Sequence, residues 1–399
     1  MAEAPPRGIR PASLRHAGVV ALGLAGAVLA ILVVWSPAAS RGLGLAATLP
    51  ARTMIAACAA TVVLTSVLSG PRVVRWDLLA GGSVALGGLA LLVAVHDPAA
   101  AAALILLLGG LQATLPARRS FSLRMRGPAA AALLLGAAWL FVHTTSTGAH
   151  RVAALALGLA IAAAAGLAPY LPDLDPDEPP AASCLTWAGF LAPALALALV
   201  LPTRVLTLKS DELPVFSATL IGLGLVNLAW GTIGAWRVPQ EVEAWRDSFL
   251  ADWGLVLVGI GIGVLGAGSS DARAAAYLAL LSIVLVRFPL YLWSRQVVRV
   301  AGERRTGVHN ILLSAALSGA APFAGFPVRL LLLRAATREA WPLAAALLVA
   351  MVIWVVHAFR LGRTLGRPAG RPAVGIWVTL AVSVVLGLAP GLLLAVSRP

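Results

Sequence analysis

The chain has 399 residues, 60 % of them hydrophobic and 12 % charged, and a mean hydropathy of +0.92. A water-soluble domain carries roughly a quarter charged residues, so a soluble fold is excluded, and disorder and collagen-like structure with it. The formal net charge of +14 comes from 30 basic residues against 16 acidic ones, with Lys209 the single lysine, so the excess is arginine.

Apolar runs bounded by charged or proline-rich breaks predict helices at 18–35, 53–69, 77–95, 99–116, 128–144, 151–169 and 184–202. Six more follow at 214–235, 250–267, 271–293, 309–333, 340–359 and 373–395. Each run suffices to cross about 30 Å of hydrocarbon as a helix. The expected fold is an all-α polytopic membrane protein with about thirteen transmembrane helices. The first run is longer than a signal-peptide core of about 7–15 residues, and only a weak small-residue site, Pro37 to Ser40, follows it, so no cleaved leader is expected. Cys58 and Cys184 lie inside apolar runs and give neither a disulfide framework nor a metal-ligand spacing.

Arginine sets the expected orientation. With the N-terminus inside, the internal segments hold 19 basic residues and the external ones 9, while Arg287 and Arg329 fall within spans. The positive-inside rule then places the N-terminus inside and the C-terminus outside, in the inner (plasma) membrane. Arg118, Arg119, Arg124 and Arg126 are grouped here as one internal loop. The basic charge is spread over short loops without aromatic interleaving, so nucleic acid is not an expected partner and the lipid bilayer is.

Ionisable groups at membrane depth are costly and point to function. Arg329 lies in ALSGAAPFAGFPVRLLLLRAA, a small-residue run interrupted by Pro322 and Pro327. Proline removes intrahelical hydrogen bonds and clashes with the preceding turn, so a discontinuous helix is expected. A cation beside such a break suits an ion path; an arginine reaching for the interface is the plainer alternative. Arg287 stands before Pro289, and the membrane-embedded segments hold almost no acidic group to pair with it, Asp77 being at one helix start and Asp252 near another. Gln112 is expected to hydrogen-bond a neighbouring helix, and His357 to lie near a cytoplasmic helix end. The glycine-rich stretch 254–268 suits close helix packing rather than nucleotide binding. No P-loop, dinucleotide fingerprint or metalloprotease motif is present, and neither a cofactor nor a metal is expected.

Residues 170–189 read YLPDLDPDEPPAASCLTWAG, and residues 317–337 read LSGAAPFAGFPVRLLLLRAAT. Together they resemble two proline-centred motifs of the antiporter-like membrane subunits of respiratory complex I, most nearly the N-type NADH–quinone oxidoreductase subunit. Cation/proton antiporters and membrane-bound hydrogenases hold relatives. Leu171, Pro172, Asp173, Pro179 and Ser183 fall in register with the first motif. Pro322, Ala324, Gly325 and Phe326 match the second, with Arg329 in place of a lysine. SFLADWGLVLVG (248–259) and VVLGLAPGLLLAV (384–396) are softer matches.

The resemblance implies two inverted repeats containing proline-broken helices, with Pro169, Pro322 and Pro327 at the breaks. It implies a basic cytoplasmic N-terminus (1–17), N-terminal transmembrane helices (18–98), a first repeat (99–202), a second repeat (203–359) and a C-terminal loop with the last helix (360–399). Partners would be other membrane subunits of a complex-I-like assembly. One helix fewer at the N-terminus than the family's usual fourteen agrees with an internal N-terminus.

The departures concern protonation. Where the family carries a glutamate, GLQATLP has Gln112; the helix before the LPD loop has no lysine, and the following lysine position falls near Ala192 or Pro193. A family loop with a lysine corresponds to EVEAWRD (241–247), which has none. A proton relay needs groups that change protonation state near working pH, and arginine, with a pKa of at least about 12, is not one. The expected function is a divergent antiporter-like subunit of a complex-I-type NADH:quinone oxidoreductase, in a structural or coupling role, with a weakened proton path and no redox site of its own. One alternative is active proton or cation translocation. The other is a stand-alone transporter binding an anionic substrate near Arg287 and Arg329.

Overall fold

The structure, a computed structural model, describes residues 11–35, 47–68, 75–113, 121–168, 180–205, 211–237, 241–266, 268–296, 307–364, 366 and 369–391. Among these every regular element is a helix, as hydrocarbon requires of a backbone that must satisfy its own polar groups. In chain order they are α1 (Pro11–Trp35), α2 (Leu49–Leu68), α3 (Arg75–Ala94), α4 (Pro98–Ala113), α5 (Phe121–His143), α6 (Thr147–Ala165), α7 (Pro180–Val205) and α8 (Leu213–Arg237). Then come α9 (Glu241–Leu265) and α10 (Ser269–Ser282), which runs through a π-helical turn (Ile283–Arg287) into α11 (Phe288–Gln296). The remainder are α12 (Val308–Ser318), α13 (Gly325–Glu339), α14 (Trp341–Thr364) and α15 (Gly370–Leu388).

Each of the thirteen apolar runs overlaps a helix. Among the described residues, eight helices are long and apolar enough to cross a membrane. The run 309–333 is discontinuous, as expected: α12 ends at Ser318 and is capped by Gly319, and α13 starts at Gly325. Pro322 sits in the break. Pro327 does not; it is buried in the first turn of α13, where an intrahelical donor is not needed. Pro193 and Pro202 lie inside α7, which continues through both. EVEAWRD is not a loop: α9 begins at Glu241, and Ala244, Trp245 and Asp247 are already buried.

Two segments occupy the centre. The apolar stretches Asp247–Leu265 and Ser269–Trp293 are each 89 % buried inside the protein, against 33 % for Met125–His143 or Trp341–Arg363. The outer helices turn large apolar side chains outward, among them Trp139, Trp230, Ile233, Val352 and Val356, as a lipid-facing surface should.

The glycines of α8 and α9 bring these helices into backbone contact. A Cβ on Gly254 would lie 2.7 Å from the Gly224 carbonyl oxygen and 2.8 Å from the Leu228 nitrogen, and one on Gly224 would lie 2.8 Å from the Gly254 oxygen. The Ser217 hydroxyl donates to the Gly261 carbonyl at 2.8 Å across the same seam. The glycine-rich stretch is thus a packing device, which fixes how deep α9 sits.

Gly254→Leu should therefore lower thermal stability in detergent by overpacking, at a cost of about 1–3 kcal/mol. Gly222→Ala, where an added Cβ meets nothing within 4 Å, should stay within about 1 kcal/mol of the parent. Equal melting temperatures for Gly254→Leu and the parent would contradict this packing.

Candidate functional site

Ser248 and Asp252 stand four residues apart on α9, hence on one face. Arg287 closes the π-helical turn beside them. Such a turn widens the helix and disturbs its carbonyl ladder; the Thr61 hydroxyl of α2 lies 3.1 Å from the Val284 carbonyl and satisfies it. The Arg287 Nε donates to Asp252 Oδ2, and Nη2 donates to Ser248 Oγ. The Arg287 side chain is 5 % exposed and the Asp252 side chain 18 %. Two aromatic faces complete the seat: the guanidinium carbon lies 5.9 Å from the Trp245 ring centre and 5.6 Å from that of Trp354. Cation–π contacts are worth more where water is excluded.

His357, one turn along α14 from Trp354, has its ring 4.9 Å from that indole. It is 1 % exposed, its ring set against the Ala244 backbone of α9 without a well-formed hydrogen bond. The expectation of an unexceptional histidine near a helix end is corrected: a buried imidazole faces the arginine cluster. Arg287 Nη1 and Trp245 Nε1 also have no hydrogen-bond partner among the described residues. Buried polar atoms without protein partners mark places for ordered water.

Arg329, in the second turn of α13, reaches back to Gly319 at the end of α12 and lies within the electrostatic reach of Asp252 and Arg287. Arg287, Arg329 and His357 therefore converge, although they come from three segments. Gln112 lies in the last turn of α4 and Ser183 near the start of α7, both with side chains outside the described part. Pro169, Leu171, Pro172, Asp173 and Pro179 lie outside the described residues.

Sequence reasoning misplaced Arg126, which is 5 % exposed inside α5 rather than in a loop. Its signal was weak, because it follows three other arginines within eight residues. Elsewhere too, guanidinium groups find helix ends: Arg204 donates to the Val95 carbonyl just past α3, and Arg360 to the Ala235 carbonyl near the end of α8 at 2.8 Å. Among the described residues no group of three His, Cys, Asp or Glu side chains could hold a metal. What the cluster can do is hold charge: an arginine locked to a carboxylate, a second arginine close by, and one titratable imidazole.

No protein-family model and no curated protein sequence matches this chain. Its structure does match solved ones. A chain of respiratory complex I from Thermus thermophilus with bound NADH superposes with a TM-score of 0.68 at 16 % identity, covering 96 % of this chain and 94 % of the other. A chain of the membrane-bound sulfane sulfur reductase, an archaeal respiratory membrane complex, gives 0.73 at 15 % identity and 96 % of both. A chain of the Mrp complex from Dietzia sp. DQ12-45-1b gives 0.66 at 16 %, covering 97 % and 91 %. The likeness implied by the two proline motifs thus holds at the level of fold, over nearly the whole chain.

Asp252→Asn should destabilise the protein by about 3 kcal/mol, toward the lower end for a broken buried pair because the carboxylate is partly exposed. The double variant Asp252→Leu/Arg287→Met should recover most of that loss in thermal unfolding. A double variant as unstable as the sum of its singles would contradict a mutual pair.

Proposed function

We propose that the chain is an antiporter-like membrane subunit of a complex-I-type respiratory assembly, with a structural or coupling role and a weakened proton path of its own. The observation that carries this reading is the match of fold over 96 % of the chain to subunits of three multi-subunit complexes, combined with a core whose buried cation is locked to Asp252. A relay must hand a proton on. Guanidinium groups hold theirs, and the first half of the chain carries Gln112 where a relay would carry an acid.

On this reading thirteen spans are arranged as two inverted repeats, 99–202 and 203–359, in the inner membrane, with the N-terminus inside and the C-terminus outside. The excess of arginine in the segments then internal supports that orientation. Arg329 acts as a fixed charge that biases titratable groups in the subunits packed beside it, as a nearby unscreened charge does. Oxidation of NADH and reduction of quinone belong to other subunits.

A second reading has one observation in its favour. His357 is a titratable group buried beside Trp354 and Arg287, and active translocation would run through it. His357→Phe should leave coupled respiration unchanged on the first reading and abolish it on the second.

Assembly is tested by purifying the tagged protein in mild detergent and identifying what co-elutes by mass spectrometry. Other antiporter-like and quinone-site subunits are expected; a solitary protein would overturn the reading and return Arg287 and Arg329 to candidate substrate binders. Within the assembly, Arg329→Lys should be tolerated, whereas Arg329→Leu should reduce complex yield or coupling. Unchanged yield and coupled respiration in the Leu variant would contradict the role given to this charge.

A further inference from the structure

α1 packs mainly against α3 and little against α2. Glycines set this preference, because they let the α1 and α3 backbones meet. A Cβ on Gly23 would lie 2.8 Å from the Ala80 carbonyl oxygen, and one on Gly87 would lie 2.5 Å from the Gly26 Cα. α2 is tied elsewhere: the Tyr277 hydroxyl of α10 donates to the Pro50 carbonyl in its first turn at 3.2 Å. With the two helices anchored to different neighbours, the space between them is left to the small side chains of Ala27, Ala30, Ala56 and Ala59. A cavity of about 500 Å³ opens there, and all of its lining residues are described.

The cavity is a groove rather than a closed void, since Leu24, Ile31, Trp35 and Val63 on its rim are exposed while Ala80 and Ser83 of α3 are buried beneath it. Along α1 its lining runs from Gly23 to Trp35, about 18 Å at 1.5 Å per residue. That is close to the hydrocarbon depth of one leaflet, half of about 30 Å. Spread over this length, the volume gives a cross-section of about 30 Å². A helix, about 10 Å across, is too thick to enter; a single hydrocarbon chain is not. One end of the groove is charged. Consecutive crossing helices alternate direction, so the first turn of α2 lies level with Trp35. Arg52 stands in that turn, four and seven residues before Ala56 and Ala59, hence on the face that lines the groove. Its Nε donates to the Ala47 carbonyl at 3.1 Å, and among the described residues no carboxylate pairs with it.

We propose that the α1–α2 groove is a lipid site, holding one acyl chain of an anionic phospholipid whose phosphate lies against Arg52. The apolar walls and the chain-wide cross-section select a hydrocarbon tail, and the cation at the mouth selects a negative headgroup, which a guanidinium can receive through two parallel hydrogen bonds. Trp35 beside it suits the boundary between hydrocarbon and headgroups. The lipid ties α1, otherwise held through α3, to α2.

The test is native mass spectrometry of the full chain, purified in mild detergent with whatever subunits accompany it and washed until bulk lipid is gone. Phosphatidylglycerol and phosphatidylcholine are then added back in equal amounts. The parent should retain one phosphatidylglycerol per chain, several-fold in excess of phosphatidylcholine. Arg52→Gln should lose that preference, and Ala59→Leu, which fills the groove, should lose both lipids several-fold. If Ala59→Leu does not fold, Ala56→Leu, at an exposed position on the same face, narrows the groove instead and should act alike. Equal retention by the parent and the groove-filling variant would mean a general lipid coat only and overturns the proposal. So does a parent that prefers neither headgroup, or one that retains a neutral isoprenoid or a neighbouring subunit over the groove in place of phospholipid.

Discussion

A guanidinium inside hydrocarbon must meet negative charge or pay heavily for its burial, and this constraint organises the protein. The chain has 30 basic residues and 16 acidic ones, so carboxylates cannot serve every arginine. Arg287 takes Asp252, and Arg334 and Arg338 share Asp271 at 3.2 and 3.1 Å. Arg126, Arg204 and Arg360 also donate to carbonyls at or near helix ends. Helix ends thus take a share of the positive charge beside the carboxylates.

The same constraint separates scaffold from chemistry. The backbone arrangement follows solved respiratory and Mrp subunits over nearly the entire chain at about 15–16 % identity. In this chain small-residue seams such as Gly224 against Gly254 hold the helices together, and they depend on volume and not on charge. Groups that could change protonation state are sparse at the centre. Asp252 is held by an arginine, and among the described residues His357 is the imidazole buried in the cluster.

Much of this was legible in the sequence because hydrocarbon enforces simple rules. Long apolar runs had to be helices, and Pro322 within a small-residue run had to interrupt one. Arg287 and Arg329 were conspicuous for their depth, whereas their convergence was not, since α9, the π-helical turn and α13 meet only in three dimensions. EVEAWRD looks like a loop because four of its seven residues are charged, yet the helix starts there and buries Trp245 and Asp247. Arg126 was hidden among neighbouring arginines, and the carbonyls of Ala163 and Ala164 that receive its head are far away in the sequence. His357 was undervalued because linear distance from a helix end says nothing about which face is covered.

The central claim is that the arginine cluster is closed and static. It is tested most directly by an electron cryo-microscopy map of the protein in its native assembly, at a resolution that resolves ordered water, recorded on both sides of neutral pH. The account predicts that Arg287 stays on Asp252 and Ser248 in both maps, with isolated waters at Arg287 Nη1 and His357 and no continuous file joining them to either membrane face. A continuous water file through His357, or an Arg287 that releases Asp252 as pH changes, would contradict it.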